Sequence, residues 1–421
     1  MLEKLKQEAI QGRSLLKFVA LKATGEALAM VAPLLVAKFF SPGIFGSYSL
    51  AKMVVFLFVS MLISSTQAPF VVYAGKEQTC TGKINRTFTI QCVFLVVSLI
   101  LFLAVVLTFS RFIMSFAQIS KANLFFVYLA FVGVSVKTFL SNMFLAVDQK
   151  TRHALLELVF GICGVLLILI FRFFNWVNLT SVFLIYFLAA IFVIISFARY
   201  IEYSKLLPLA WDQKYFTDSL NFAKWVILGA SSVYLINWGD NLVLRYFVSM
   251  DDIGIYNFAY SLFKGMTMLT FGLIYYFMPF VSKNINNKQS MNTYIFSKRP
   301  KAFLLGLVPI CILFVFAPYA VRMAYNGIYD NSIAVIRILL VGSALALYCA
   351  FYAPLFHALE RYRFSQSIDA VQALVNILLD LVFIPQIGMY GAAIATVIAY
   401  CCRTVILEIY FRKRIRKLFA I

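Results

Sequence analysis

The chain has 421 residues, of which 63% are hydrophobic, and its formal net charge is +20. Soluble domains are usually about 45–50% apolar, so this composition, with a mean hydropathy of +0.90, excludes a soluble globular protein and indicates a polytopic membrane protein. The positive charge does not indicate a nucleic-acid partner, because most basic residues fall in short connections between apolar segments, where they set membrane orientation.

Twelve apolar segments follow a polar and basic N-terminal stretch, residues 1–13, and each is long enough to cross a bilayer. They predict an all-α polytopic membrane protein with six spans in each half, divided into a lobe of residues 1–205 and a lobe of residues 206–421. The predicted spans are Ser14–Phe40, Gly46–Ala74, Thr87–Phe109, Ala122–Val147, His153–Phe171, Leu179–Ala198, Ser219–Val248, Ile253–Ser282, Ala302–Tyr325, Ser332–Leu359, Phe364–Pro385 and Met389–Phe411.

The basic residues of the connections distinguish the two sides of the membrane. Twenty-three Lys and Arg residues lie on the side of the two termini, and only four lie in the connections on the other side. Because cytoplasmic connections carry the excess of basic residues, both termini are predicted to be cytoplasmic.

An internal repeat at about half the chain length marks the outer ends of two hairpins. FFSPGIFGSYSLA, Phe39–Ala51, matches FVSMDDIGIYNFA, Phe247–Ala259, at an offset of 208 residues. Gly46 of the first copy falls on Gly254 of the second. We interpret these glycines, together with Pro42, as residues that shape extracytoplasmic turns.

A second, weaker match lies further along each half. FLAVDQ, residues 144–149, resembles FHALER, residues 356–361, at an offset of 212, and Glu157 then falls on Asp369. Because each half contains an even number of spans, the two lobes are predicted to be pseudosymmetric and related by an axis along the membrane normal.

Ten basic and six acidic side chains fall inside the predicted spans, where a charge costs at least about 2.5–3.5 kcal/mol at a helix centre. Five of them lie near span ends and are expected to extend to the lipid headgroups: Lys17, Lys38, Lys224, Arg403 and Glu408. The two histidines, His153 and His357, are interpreted as interfacial residues rather than metal ligands.

The other charges define a candidate cationic cavity, which would suit an anionic headgroup. Its predicted basic residues are Lys22, Lys52, Lys137, Arg245, Lys264 and Arg337. The carboxylates Glu26, Asp240 and Asp369 are candidates to bind a coupling H⁺ or Na⁺. No catalytic residue or metal site is predicted, and no cofactor is expected beyond the coupling ion.

One polar stripe leaves two interpretations open. In span eleven Asp369, Gln372, Asn376 and Asp380 follow one another at spacings of three, four and four residues, so they share one helix face. The stripe either faces a cavity or holds neighbouring helices together by hydrogen bonds.

Several function classes are disfavoured by missing motifs. The chain has no G-x-x-x-x-G-K-[ST] sequence, which excludes an ATPase site within it. The first outer connection, SPGIF, has no carboxylate for a membrane glycosyltransferase, and no connection is large enough for a polysaccharide polymerase loop. The sequence after span two, GKEQTCTGKINR, also lacks the Gly-Asp-Arg-type motif of the major-facilitator family.

Three stretches in this order resemble bacterial polysaccharide flippases of the Wzx type: FFSPGIFGSYSLAK, GDNLVLRYFVSMDDIGIYNFAYSLFKG and NILLDLVFIPQIGMYGAAIATVIAY. These proteins belong to the multidrug/oligosaccharidyl-lipid/polysaccharide exporter superfamily. The resemblance covers essentially the whole chain and implies two six-helix lobes in a MATE-like V, with spans one, two, seven and eight lining a central cavity. When the cavity-lining spans are matched to this sequence, the resemblance assigns Lys22, Glu26 and Lys52 to the cavity wall of one lobe. It assigns Asp240, Arg245 and Lys264 to that of the other.

The resemblance also implies a function. It implies ion-gradient-driven export of an undecaprenyl-pyrophosphate-linked oligosaccharide, for O-antigen or a related surface polysaccharide, across the bacterial inner membrane by alternating access. The expected partners are this substrate, membrane lipids, a polysaccharide polymerase and a chain-length regulator, with no nucleic acid. The alternative is a multidrug exporter for cations from the same superfamily, and an integral-membrane glycan-assembly enzyme is a third hypothesis.

Overall fold

The structure is a computed structural model that describes residues 20–22, 24, 25 and 27–415. These residues are almost entirely helical and form twelve helices that are long and apolar enough to span a membrane, which confirms the predicted fold class. We label them, in order, α1 (Ala20–Phe39), α2 (Pro42–Thr81), α3 (Asn85–Thr108), α4 (Lys121–Ala146), α5 (Lys150–Phe173), α6 (Leu179–Ala198), α7 (Gln213–Phe247), α8 (Met250–Asn284), α9 (Lys288–Tyr325), α10 (Ser332–Ala358), α11 (Arg363–Ile387) and α12 (Met389–Lys413).

Local sequence determines where several helices begin and end. The start of α6 is capped reciprocally by Asn178 and Ser181, and the start of α8 by Ser249, whose side chain accepts a hydrogen bond from the Asp252 amide. At the end of the α2 helix, Gly82 has a φ of 70°, a left-handed conformation that glycine adopts without strain.

The chain divides into two units by its internal contacts. The first unit contains the described residues up to Phe39 and Ser47–Ser231, and the second contains Phe40–Gly46 and the residues from Ser232 onward. The division therefore falls within α7, and the first turn of α2 belongs to the second unit.

The core of the first unit is centred on α4. Phe144 of α4 is fully buried and packs in a cluster with Leu156 of α5 and Phe197 of α6. Gly133 allows α4 to approach α6 closely, because a Cβ atom at this position would lie 2.8 Å from the Phe187 Cα atom. Helix α4 also packs against α2.

The core of the second unit has the same plan. Phe356 of α10 is buried in a cluster with Phe277 of α8, Tyr294 of α9 and Leu407 of α12. Phe356 is the repeat equivalent of Phe144. In both units the second span packs on the fourth, and the sixth packs on both the fourth and the fifth. The internal repeat of the sequence is therefore a repeat of packing.

The interpretation of Gly46 and Gly254 as turn-shaping residues is wrong. Both lie inside the first turns of helices, Gly46 in α2 and Gly254 in α8, and neither has a positive φ. These two first turns pack against each other within the second unit. A Cβ atom on Gly46 would lie 2.3 Å from the Met250 carbonyl oxygen, and one on Gly254 would lie 1.8 Å from the Pro42 carbonyl oxygen. Glycine is needed here for close backbone approach.

Candidate functional site

A cavity of about 350 Å³ lies inside the first unit, between helices that span the membrane. Its wall is formed by α1, α2, α4, α5 and α6 and is mostly apolar. Two of the predicted basic residues, Lys52 of α2 and Lys137 of α4, reach this wall together with Glu157 of α5. With one carboxylate against two ammonium groups, the lining carries an excess of positive charge. Its volume is at the lower end of the range of about 300–1,000 Å³ that ligand pockets occupy.

Glycines bring α1 and α5 together at one side of this cavity. A Cβ atom on Gly25 would lie 2.9 Å from the Leu158 amide nitrogen, and one on Gly161 would lie 2.9 Å from Leu28 Cβ. Such small residues allow two spanning helices to pack backbone to backbone. Because both glycines line the cavity, they also leave part of its space unfilled.

Lys52 lies in an aromatic stripe on α2. Tyr48, Lys52 and Phe56 follow one another at intervals of four residues, so they share one helix face. The Lys52 Nζ atom lies 5.6 Å from the ring centroid of Tyr48 and 5.6 Å from that of Phe56, within the range of cation–π attraction. The Tyr48 and Tyr186 hydroxyls are 2.7 Å apart. Ring faces therefore hold the ammonium group at the cavity wall.

Lys137 is held by a polar chain that runs between α4 and α5. Its Nζ atom lies 2.8 Å from Glu157 Oε2, and Ser141 Oγ donates to Glu157 Oε1 over 2.8 Å. His153 Nδ1 lies 2.8 Å from Ser141 Oγ. His153, predicted to be an interfacial residue, lies in the first turn of α5, where its side chain is buried among these groups. Lys22 of α1 is partly exposed and lies within electrostatic range of His153.

The Lys137–Glu157 pair is expected to contribute to stability, because the two side chains are only 12% and 26% exposed. The Lys137→Met and Glu157→Gln substitutions should each lower stability by about 1–3 kcal/mol, because each leaves the other, partly buried charge without its partner, whereas the double variant should recover most of the loss. Stability is measured as the temperature at which heated, detergent-solubilised protein is lost from its size-exclusion peak. The matched control is the Arg86–Asp212 pair, in which the Arg86 side chain is 50% exposed and whose removal should cost below about 1 kcal/mol. Single variants as stable as the wild type would contradict the expectation.

A buried carboxyl pair occupies the interior of the second unit. Asp240 of α7 and Asp380 of α11 are at most 2% exposed and lie within hydrogen-bonding reach of each other. Asn376 donates to both carboxyl groups, to Asp380 Oδ2 over 3.0 Å. Tyr256 of α8 and Thr396 of α12 also donate to Asp240. Two buried carboxylates so close repel each other strongly unless a proton or cation lies between them.

The polar stripe of α11 joins neighbouring helices along its length. Asp369 pairs with Arg403 of α12 over 2.8 Å, and Arg403 also donates to Gln372 over 2.7 Å. The expectation that Arg403 extends to the headgroups is therefore wrong. Glu408 accepts hydrogen bonds from the hydroxyls of Tyr348 and Tyr352 within the second unit. Their tertiary partners hold both side chains between helices.

The other predicted basic residues of the second unit lie apart from one another. Lys264 of α8 lies 4.3 Å from the Trp238 ring centroid and 5.1 Å from that of Tyr260, which repeats the aromatic setting of Lys52. Arg337 is exposed on α10, where its Nε atom donates to the Phe314 carbonyl oxygen. Arg245 is partly exposed near the end of α7. The structure thus brings Lys52 and Lys137 to one cavity, and the predicted Glu26 lies outside the described residues.

Four residues of the carboxyl cluster were not among the predicted site residues: Asp380, Asn376, Tyr256 and Thr396. Asp380 could have been chosen, because the α11 stripe places it four residues after Asn376. Thr396 and Tyr256 carry no comparable signal, since only the packing of α8 and α12 brings them to Asp240. Within the described residues, no group of three or more His, Cys, Asp or Glu side chains is placed to hold a metal ion.

Two curated proteins of archaea are distant relatives. An uncharacterized membrane protein of Methanocaldococcus jannaschii is 23% identical over 51% of this chain and 44% of its own length. A probable low-salt glycan biosynthesis flippase of Haloferax volcanii is 19% identical over 44% of this chain and 40% of its own length. The chain thus matches less than half the length of either relative. No protein-family model matches the chain.

Solved structures resemble the chain over almost its full length. The lipid II flippase MurJ, in an inward closed conformation, matches with a TM-score of 0.78 and 14% identity over 96% of this chain and 89% of MurJ. The fold is that of MurJ and the MATE transporters. An inward-facing multidrug resistance MATE transporter of the MOP superfamily matches with a TM-score of 0.76 and 14% identity over 94% of this chain and 95% of that one. These structural neighbours are transporters and flippases, and the chain is a multi-pass membrane protein with their fold.

Proposed function

We propose that this protein is a flippase for an undecaprenyl-pyrophosphate-linked oligosaccharide, an O-antigen or related surface-polysaccharide unit, in the bacterial inner membrane. The observation that carries the proposal is the excess of positive charge on a cavity wall within the membrane, where Lys52 and Lys137 face one carboxylate, Glu157. A pyrophosphate is the part of such a substrate that basic side chains would bind. The fold shared with a lipid II flippase and the sequence similarity to a probable glycan flippase support the same class of cargo.

Transport would run by alternating access, with the polyprenyl tail in the lipid and the charged head in the protein. The Asp240–Asp380 pair is the proposed site for a coupling H⁺ or Na⁺, since oxygen ligands suit hard cations. Asp369, which Arg403 already neutralises, is the weaker candidate.

A cytoplasm-negative potential favours outward movement of net negative charge by about 2.3 kcal/mol per charge per 100 mV, and counter-movement of cations would offset part of this. A polymerase and a chain-length regulator are the proposed partners, because they would use the exported unit.

The proposed cargo is tested by neutralising single lysines and expressing each variant in a strain that lacks this protein. We expect Lys52→Gln and Lys264→Gln, each made singly, to abolish restoration of the surface glycan at unchanged protein level. Lys22→Gln should have the same effect. Lys83→Gln is the matched control, because Lys83 is exposed in the connection between α2 and α3. Normal glycan in all three neutralised variants would contradict an anionic cargo.

The second candidate is a multidrug exporter for cations, which the similarly close structural match to a MATE transporter favours. A cationic drug would be repelled by the net positive lining of the first-unit cavity. Increased resistance to cationic dyes on overexpression, lost in the Glu157→Gln variant at unchanged protein level, would favour this candidate over the flippase.

A further inference from the structure

A surface groove between α9, α10 and α12 lies apart from both sites described above. It consists of two adjoining hollows of about 400 Å³ and about 550 Å³. We call it the α9–α12 groove. Both hollows are lined by Phe303, Tyr348, Glu408 and Arg412.

Arg299 forms the closed end of this groove. Its side chain lines the smaller hollow, although the residue is only 7% exposed. The guanidinium carbon lies 4.5 Å from the Tyr348 ring centroid and 4.3 Å from that of Tyr352, so two aromatic faces enclose it. Among the described residues, its hydrogen-bond partner is the Tyr352 hydroxyl, to which Nη2 donates over 2.7 Å. A guanidinium has five donors, so most of the donor capacity of Arg299 remains for a ligand in the groove.

The carboxylate in the groove does not neutralise Arg299 directly. Glu408 Oε2 accepts from Tyr348 and Tyr352, and Glu408 Oε1 accepts from Arg412 over 2.7 Å. Two guanidinium groups against one carboxylate leave a net positive charge. Arg299 and Glu408 share the Tyr352 hydroxyl as a hydrogen-bond partner, and both arginines line the smaller hollow, so an anion that enters it meets Arg299 and Arg412.

The ends of the two helices that carry these arginines depart from α-helical geometry. Residues Tyr294–Lys298, just before Arg299, are π-helical, and so are Phe411–Ile415, which contain Arg412. Local π-helical turns often mark functional sites. Both segments lie at the membrane side on which the basic connections cluster, with Lys283, Lys288 and Lys301 nearby in sequence.

The rest of the groove is apolar and continues along the membrane-spanning part of α12. Val405 and Ile409 line the larger hollow, and they are 55% and 48% exposed. Apolar side chains that remain exposed on a membrane-spanning helix face lipid chains. One end of the groove therefore suits an anionic head and the other suits a hydrocarbon tail.

We propose that the α9–α12 groove binds a phosphate-headed lipid from the leaflet on the basic side of the membrane. The phosphate lies against Arg299 and Arg412, because guanidinium groups recognise phosphate through paired N–H donors. One hydrocarbon chain lies along Val405 and Ile409. The bound lipid is either an anionic phospholipid or a polyprenyl phosphate, which share this head chemistry. The site is independent of the transport function proposed above.

Native mass spectrometry of the full chain in a non-ionic detergent tests the proposal. We expect one phosphatidylglycerol per chain, bound at least about tenfold more tightly than phosphatidylcholine of the same chain length. Arg299→Gln should remove this preference. Val405→Trp, which fills the exposed hollow without changing a charge, should weaken binding as well and keeps the test valid if Arg299→Gln fails to fold. Lys301→Gln removes an equal charge from an exposed position in the same region and should leave binding unchanged.

A competition experiment identifies which of the two lipid classes occupies the groove. Displacement of phosphatidylglycerol by undecaprenyl phosphate would support a polyprenyl phosphate as the occupant, and failure to displace it would support a phospholipid. Three results would overturn the proposal: equal binding of phosphatidylcholine, wild-type binding by both Arg299→Gln and Val405→Trp, or displacement of the lipid by inorganic pyrophosphate as effective as by another lipid.

Discussion

Replacement of Asp240 by asparagine is expected to abolish gradient-driven transport while the second unit keeps its fold. Asparagine has nearly the same shape as aspartate and retains one oxygen, which can still accept the hydrogen bonds that Asp240 Oδ2 accepts from Tyr256 and Thr396. Its amide nitrogen replaces Oδ1, the oxygen that accepts from Asn376. The substitution removes one negative charge from a site in which the second carboxyl, Asp380, is fully buried. A coupling cation would lose one of its two ionic partners.

The expected loss is at least about tenfold in affinity for the coupling cation, which corresponds to about 1.4 kcal/mol. Purified protein in vesicles, with Na⁺ and H⁺ gradients imposed one at a time, measures the dependence of transport on each ion. Asp148→Asn is the control, because it makes the same chemical change on an exposed side chain. Wild-type transport and wild-type ion dependence in Asp240→Asn would reject the proposed coupling site.

Asp380→Asn provides an independent check on the pair. If the two carboxyl groups bind one cation together, the two single variants should lose transport to the same extent. The double variant should then be no worse than either single one, because groups that act as a unit are strongly non-additive. Additive losses would indicate that Asp240 and Asp380 act separately.

The sequence predicted those features that depend on local pattern. Apolar runs of sufficient length predicted the twelve spans, and Asp240 was identified because a charge in a membrane span is costly enough to require a partner. The sequence pattern does not show which side chains of other helices pair with such a charge. Arg403 and Glu408 lie near a span end in the sequence, yet α11 and α10 supply their partners. Only the packing of the helices shows these partners.

The internal repeat also predicts which positions are equivalent but not which partners they have. Its offset correctly aligned Phe144 with Phe356, which are both buried in the cores of their units. It also aligned Glu157 with Asp369, and each forms an ion pair, but Lys137 lies on α4 and Arg403 lies on α12. Equivalent acids therefore have partners at non-equivalent positions, which a comparison of the two halves could not reveal.

Replacement of Gly254 by alanine is expected to be the most disruptive Gly→Ala substitution among the described residues. The added Cβ atom would lie 1.8 Å from the Pro42 carbonyl oxygen and 3.1 Å from the Gly46 amide nitrogen. Both are backbone atoms, so no change of side-chain rotamer relieves the contact and the two helix starts must separate. The cost should be about 3 kcal/mol or more, at the upper end of the overpacking range.

The loss should appear as a lower midpoint of thermal unfolding in detergent, with Gly46→Ala showing the same direction because its Cβ atom would lie 2.3 Å from the Met250 carbonyl oxygen. Gly272→Ala is the control on the same helix, since no atom lies within 4 Å of its added Cβ atom. Alanine in a helix interior is favoured over glycine by about 1 kcal/mol, so the control should be at least as stable as the wild type. A Gly254→Ala variant with the stability of Gly272→Ala would show that the two first turns are not in backbone contact.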